Sequence, residues 1–443
     1  MRQFRDGLRS LSLSLREAVR EDSKVNDSPE SYRAFAESIS AQRSTSTSWC
    51  NRPIKFQPAW EAVVPGIDLR SVFMYPDRVV VAGHDEIAAI EKRDGALLWR
   101  LRIERGVSIA APNSIVRLSP HGTLSFHDIS TGIVTITKKL AARNGGMPAG
   151  AIINVPGLPR LAVVSEGDRF LTAVDYVSGE VRWRYALGRC RSIKVRRVGK
   201  LLVVSSSDHS LVALDIESGE TVWRVRDKLR FMRPVSFDQD DLFAVTGDCT
   251  SSTPCAEVLT AFEPWVGAHK WSRRLPDGLR SVGAPTVSSD SVVVATQDRR
   301  GLGLSSFNRA DGQPMWSVEP GFVPSGSAWL AVDDTMVINS ENGMTVGLDL
   351  RDGAVTWRRA MEPHPDGDAP RNLEPTLRCG ALFVPQRNVL VLSPCDGEKL
   401  GEIDADLVPD VVRVDDDCCV VVVEESGHAA AFSGRAHLRL VKS

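Results

Sequence analysis

The sequence predicts an all-β protein: a single closed β-propeller of eight or nine four-stranded blades, with a short helical extension at its N-terminus. Three observations point there. A glycine is followed four residues later by tryptophan at a blade-length period. Short alternating apolar runs fill each period. A tryptophan-bearing strand with no blade before it opens the array, and three strands with no fourth close it.

Residues 1–55 read as a helical extension and linker outside the ring. Phe4, Leu8, Leu11, Leu15 and Val19 recur at helical spacing, with Arg2, Arg5, Arg9 and Arg16 elsewhere on the wheel. Ser28 and Pro29 have the form of a second helix start, and Ser44–Ser48 that of a flexible linker. An isolated amphipathic helix is marginal in water, so the apolar face of Phe4, Leu8, Leu11 and Leu15 is expected to bind a partner protein, the ring itself or a membrane surface.

Residues 56–443 read as the ring. The pairs are Gly95/Trp99, Gly179/Trp183, Gly219/Trp223, Gly267/Trp271, Gly312/Trp316 and Gly353/Trp357. Gly132 with Ile136, and Gly397 with Gly401, are degenerate copies, and successive glycines lie 37 to 48 residues apart. In the two best copies Asp175 and Asp215 precede Gly179 and Gly219 by four residues. The carboxylate caps the turn, the glycine takes a positive φ, and the tryptophan wedges its ring against the next blade. Within the fourth unit Ser192–Val195 and Lys200–Val204 read as the inner and second strands. The second unit, around Ser114–His127, is the weakest and is expected to be irregular.

Closure is also legible. Trp60 lies in an outer-strand pattern, and the chain ends in strands near Val411–Val414, Cys418–Val423 and His428–Phe432. The Trp60 strand is expected to complete that last sheet, which removes the exposed edge of an open array. Eight hairpins plus the closing sheet favour nine blades.

The A-x-D-x-x-x-G-x-x-x-W copies resemble the tryptophan-docking repeat of quinoprotein dehydrogenases and of PQQ-like propellers. From about residue 58 onward the layout is similar to the family of the B subunit of the outer-membrane β-barrel assembly machine. The resemblance implies two functions. One is a noncatalytic scaffold for other proteins, the reading preferred here. The other is a PQQ-dependent oxidoreductase with Ca²⁺, a catalytic Asp and a vicinal cysteine disulfide. The adjacent Cys418 and Cys419 match that last feature in kind, but their run into four valines reads as a core strand with free thiols. A small-molecule-sensing propeller is a third reading. No catalytic, metal or cofactor residue is assigned, and no cofactor is expected.

Composition narrows the partners. Lys and Arg total 54 against 56 Asp and Glu, so nothing in the net charge of −2 favours nucleic acid. The arginines interrupting the N-terminal leucines leave no secretory core, so a cytoplasmic location is expected. The eight cysteines lack C-x-x-C spacing and are expected to stay reduced there, with Cys249 and Cys255 the first candidates for a bridge in an oxidising compartment. Asp415–Asp417 lack the alternation of a Ca²⁺ loop and read as a solvated turn. His84 and His209 fall at equivalent blade turns and read as loop histidines. Arginines beside the tryptophans, such as Arg100, Arg184 and Arg224, are expected to lay their stems over the apolar perimeter.

Overall fold

The computed structural model describes residues 53–435, apart from 65–66, 84, 141–149, 154–159, 167–168, 189–192, 207, 232, 239, 248–255, 277–278, 298–300, 324–326, 341 and 364–373. They form nine antiparallel sheets, each a blade, so the count is nine. Eight blades run in chain order from the inner strand to the outer one. Blade one is Ile67–Met74, Arg78–Gly83, Glu86–Glu91 and Leu97–Arg102. Blade two, the expected irregular unit, is regular: Val107–Ala111, Ser114–Leu118, Thr123–Asp128 and Val134–Lys139 pair in sequence. Its weak signal comes from a missing tryptophan, not from missing strands.

The ninth blade is composite. Val411–Val414, Cys419–Val423 and His428–Arg435 supply three strands, and Lys55–Val63 adds the outer one from the other end of the chain. Trp60 faces Ala431 and Val63 faces His428 in that pairing. Ile54, buried just before it, donates its N–H to the Leu400 carbonyl at 2.7 Å, which attaches the closing strand to blade eight.

Blades five and six have five strands because their inner strands are split. Arg230–Phe231 is followed by Ser236–Asp238, and Arg280–Ser281 by Thr286–Val287. Pro234 and Pro285 lie in the two interruptions. Proline has no N–H to give the ladder, so each inner strand breaks at its proline and resumes.

The core lies between blades. The second and third strands are apolar on both faces, as in Leu201–Ser206 and Glu86–Glu91, because each face meets a neighbouring blade. One cluster joins Leu201, Val203 and Trp223 of blade four to Phe231, Leu242 and Trp265 of blade five. Another joins Phe383 and Val391 of blade eight to Val420, Phe432 and Ile54 of the closing blade.

Tryptophan rings tie seven of the nine joints. Trp60 stands against Gly95, Trp99 against Gly132, Trp183 against Gly219, and Trp223 against Gly267. Trp271, Trp316 and Trp357 continue the series against Gly312, Gly353 and Gly397. A Cβ on Gly219 would lie 2.5 Å from the Trp183 ring, so only glycine fits there. Its φ of 71° is a second reason, since side chains resist that region. Six ring N–H groups donate to a carbonyl of the next blade, from Trp183 to Ile216 at 2.8 Å to Trp316 to Leu350 at 3.1 Å. Trp357 packs in the same way without such a partner. In blade two Ile136 takes the tryptophan's place, and Gly179 rests on its methyl group.

Candidate functional site

The turn after the first strand of a blade and the turn before its fourth share one rim of the ring. Backbone bonds join them within blades: Lys92 N–H to Asp77 at 2.9 Å, Ile216 to Lys200 at 3.0 Å, and Leu350 to Asp334 at 2.8 Å. Carboxylates build the outer of these turns. Asp175 accepts from the N–H groups of Val177 and Ser178, and Asp215 from those of Glu217 and Ser218. Burial pushes the Asp175 carboxyl up, but the Ser178 and Val177 N–H groups and Arg182 hold it below the usual carboxylate range. These aspartates organise turns, and their oxygens are committed to that role.

The closing seam brings together residues that the sequence reading kept apart. Cys379, in the first turn of blade eight, forms a disulfide with Cys418, in the first turn of blade nine. Their Cα atoms are 6.2 Å apart across a separation of 39 residues. The expectation that Cys418 is a free core thiol is therefore corrected. Cys418 lies in the turn at φ 60°, not in the strand, which begins at Cys419. The vicinal bridge of the quinoprotein type is not formed, and Cys419 remains free. Burial, then the Asp415 charge, pushes its thiol up to about 11.

The same turn is held from the other side. Asp415 accepts from Lys92 of blade one and from the N–H groups of Asp417 and Cys419. Arg413, on the inner strand beneath, donates to the Val72 carbonyl of blade one at 3.2 Å. Burial holds that guanidinium below its usual value, and Glu374 opposes the shift. Disulfide, ion pair and guanidinium thus join blades eight, nine and one where the ring closes.

Inner strands line a central cavity of about 730 Å³. Phe237, Trp329 and Leu330 give it an apolar wall, with Arg196 and Glu374 as charged groups. Among the described residues no three His, Cys, Asp or Glu side chains are grouped to hold a metal ion.

On the outer perimeter, arginines pair with acids of their own blade. Arg100 bonds Glu86, Arg182 bonds Asp175, and Arg184 bonds Glu166 while lying 4.1 Å over the Phe170 ring. Arg273 and Arg359 instead donate to the carbonyls of Gly312 and Gly397 on the next blade. Several arginines beside the tryptophans are thus joint fasteners, a role the sequence did not reveal. The start of the outer strands and the turns before them expose large apolar side chains, including Leu97, Leu98, Ile133, Val134, Val177 and Val181. The sequence reading missed them. Their only signal was apolar residues between the glycine and the tryptophan position, such as Leu97, Leu98 and Val181, or just before the glycine, as at Val177.

His209 lies at φ 70° with no partner for its Nδ1. His84, the cysteines Cys249 and Cys255, and the N-terminal residues Phe4, Leu8, Leu11 and Leu15 lie outside the described residues.

Two stretches of the sequence, residues 83–248 and 230–393, match the family described as outer membrane protein assembly factor BamB. No curated protein is matched. Among solved structures, BamB from Moraxella catarrhalis is 14% identical, covering 86% of this chain and 99% of its own, with a TM-score of 0.51. The computationally designed Ika8 protein is 12% identical over 85% of this chain and 99% of its own, TM-score 0.51. Sqt1 from Saccharomyces cerevisiae is 10% identical over 86% and 99%, TM-score 0.53. Identities this low speak to fold alone.

Proposed function

Since this chain belongs to the BamB family of PQQ-like β-propellers, we propose that it is a noncatalytic scaffold, a rigid ring that binds other proteins. One observation carries the reading: a run of large apolar side chains is held in water along one rim. Contiguous exposed apolar surface on a rigid body is a mark of protein binding. The ring, residues 56–443, supplies blade turns and the perimeter, and residues 1–55 supply an amphipathic arm. The turn aspartates support the same reading, because groups that cap hairpins are not free to move protons.

Affinity purification of the full chain from its native host, with quantitative mass spectrometry, tests the proposal. Specific, stoichiometric partners are expected. Robust dye reduction that depends on added PQQ and Ca²⁺ would replace the scaffold with the oxidoreductase reading.

The central cavity favours a second reading, a sensor of small molecules. Trp329 and Arg196, on the inner strands of two different blades, both line it and offer an aromatic face and a cation. A screen of metabolites by thermal shift tests it, with Trp329→Ala as the control.

The Cys379–Cys418 bond bears on location. Disulfides persist in oxidising compartments and are reduced in the cytoplasm. A cytoplasmic location therefore requires this pair to be open in the cell. A non-reducing peptide map of protein taken from cells decides between the two.

A further inference from the structure

The outer strands of the first four blades carry a charge pattern that complements one kind of partner. Leu97–Arg102, Val134–Lys139, Val181–Ala186 and Thr221–Arg226 each hold two cations and no carboxylate. In three of them, Leu97–Arg102, Val134–Lys139 and Thr221–Arg226, the layout runs in one direction. Apolar residues lie at the rim end and cations toward the other, as in Leu97-Leu98 before Arg100 and Arg102. Leu97 is 56% exposed, Ile133 64% and Val177 59%, so the outer strand or the turn before it exposes a large apolar side chain in three consecutive blades. Gly132 stands directly on Trp99 and Leu101, which brings Ile133 and Val134 of blade two beside the outer strand of blade one. Each outer strand is hydrogen-bonded on one side only, so its other edge has backbone groups to share.

The geometry points to this perimeter, centred on blades one and two, as the docking site for an extended segment of a partner protein that is apolar at one end and acidic at the other. The inference rests on the scaffold reading and names its surface and partner chemistry. A segment added to the edge of Leu97–Arg102 places apolar side chains against Leu98 and Ile133. About 13 Å further along, at roughly 3.3 Å per residue, it places carboxylates on both of its faces, against Arg102 on the side of blade nine and Lys139 on the side of blade two.

The chain's own N-terminal arm is the competing occupant. Ile54 leaves the ring on the same rim, since Lys55 pairs with Arg435 beside the turn that holds Cys418. The arm is long enough to reach, but its first twenty residues hold Arg2, Arg5, Arg9, Arg16 and Arg20 against Asp6 and Glu17. The acid beside this edge, Glu86, is already bonded to Arg100, so Arg102 and Lys139 are left to repel a cationic segment and attract an acidic one.

The test uses the full-length protein and a fluorescein-labelled peptide whose first half alternates valine with threonine and whose second half is glutamate throughout, so that both faces carry carboxylates. Lysine replaces glutamate in one control and serine replaces valine in another, and a peptide of residues 1–22 is the third. Fluorescence anisotropy is expected to show binding of the valine–glutamate peptide alone. Leu98→Asp with Ile133→Asp, and separately Arg102→Glu with Lys139→Glu, are each expected to weaken it at least about tenfold while melting like wild type. High salt is expected to weaken the wild-type complex and, by screening the new repulsion, to strengthen what remains in the Arg102/Lys139 variant. Equal binding of the lysine peptide, preference for residues 1–22, or indifference to both double variants would overturn the assignment. Purification of the Leu98→Asp/Ile133→Asp protein from the host separates the two levels. Unchanged partners there refute this surface and leave the scaffold standing, whereas no partner even for wild type refutes the scaffold.

Discussion

Trp183 and Gly219 form the most sharply defined joint of the ring, and a double-mutant cycle across it tests how the blades are held. Trp183 is 7% exposed and its Nε1–H donates to the Ile216 carbonyl at 2.8 Å. Trp183→Ala empties an aromatic site, which costs about 3–5 kcal/mol, and strands that carbonyl, about 1 kcal/mol more. Gly219→Ala meets two obstacles. A residue other than glycine at φ 71° costs roughly 1–2 kcal/mol. The added Cβ also lies 2.5 Å from the Trp183 ring, an overlap worth a further 1–3 kcal/mol or so. In the double variant the ring is gone and the overlap vanishes, while the backbone strain remains. The two changes should therefore be less than additive, with a coupling of about 1–3 kcal/mol. Urea unfolding of the four proteins, followed by intrinsic fluorescence and circular dichroism, gives the numbers. A coupling below about 0.5 kcal/mol would mean that ring and glycine do not constrain each other, and the docking argument would fail.

Three further outcomes follow from the same geometry. Cys379→Ser should lower stability by roughly 4 kcal/mol under non-reducing conditions, from the loop entropy of the closed segment, and by little once the wild type is reduced. Acid should loosen the turns: Asp175 and Asp208 are held below the usual carboxylate range, so their contribution is complete above the unfolded pKa of about 4 and is lost as pH falls through the lower folded values. Asp175→Asn should flatten that acid limb in a pH series of melting curves. Cys419 should react with a maleimide only after denaturation, because burial keeps its thiol protonated at neutral pH, and rapid labelling of native protein would contradict its placement.

What the sequence disclosed depended on how local each contact is. Gly219 and Trp223 are both fixed by one hairpin, so their spacing survives in the sequence although each docks on a different neighbour. The closing strand was readable because Trp60 keeps the outer-strand pattern without a hairpin of its own. Ile136 shows the limit: the joint persists when an aliphatic side chain replaces the ring, but the motif that announces it disappears. The Cys379–Cys418 bridge was illegible for a related reason. It joins first turns of two adjacent blades, and only the ring geometry shows that those turns stand side by side. The split inner strands of blades five and six follow from Pro234 and Pro285, a signal present in the sequence but ambiguous until the pairing is known. The exposed perimeter was hidden because an alternating strand does not declare which face another blade covers. Leu97 and Leu101 alternate alike, yet the Gly132 turn covers Leu101.

The nine sheets form a ring closed by the Lys55–Val63 strand. Hydrogen exchange read by mass spectrometry on two truncated chains tests it most directly. Removal of residues 1–45 spares Ile54 and the closing strand, and protection throughout the ring is expected to match the full chain. Removal of residues 1–64 takes away Trp60 and the whole outer strand of blade nine. In that chain the strands Cys419–Val423 and His428–Arg435 should lose protection while Leu201–Ser206 of blade four keeps most of its own. Full protection of the two C-terminal strands without residues 1–64 would contradict the closure on which the account rests.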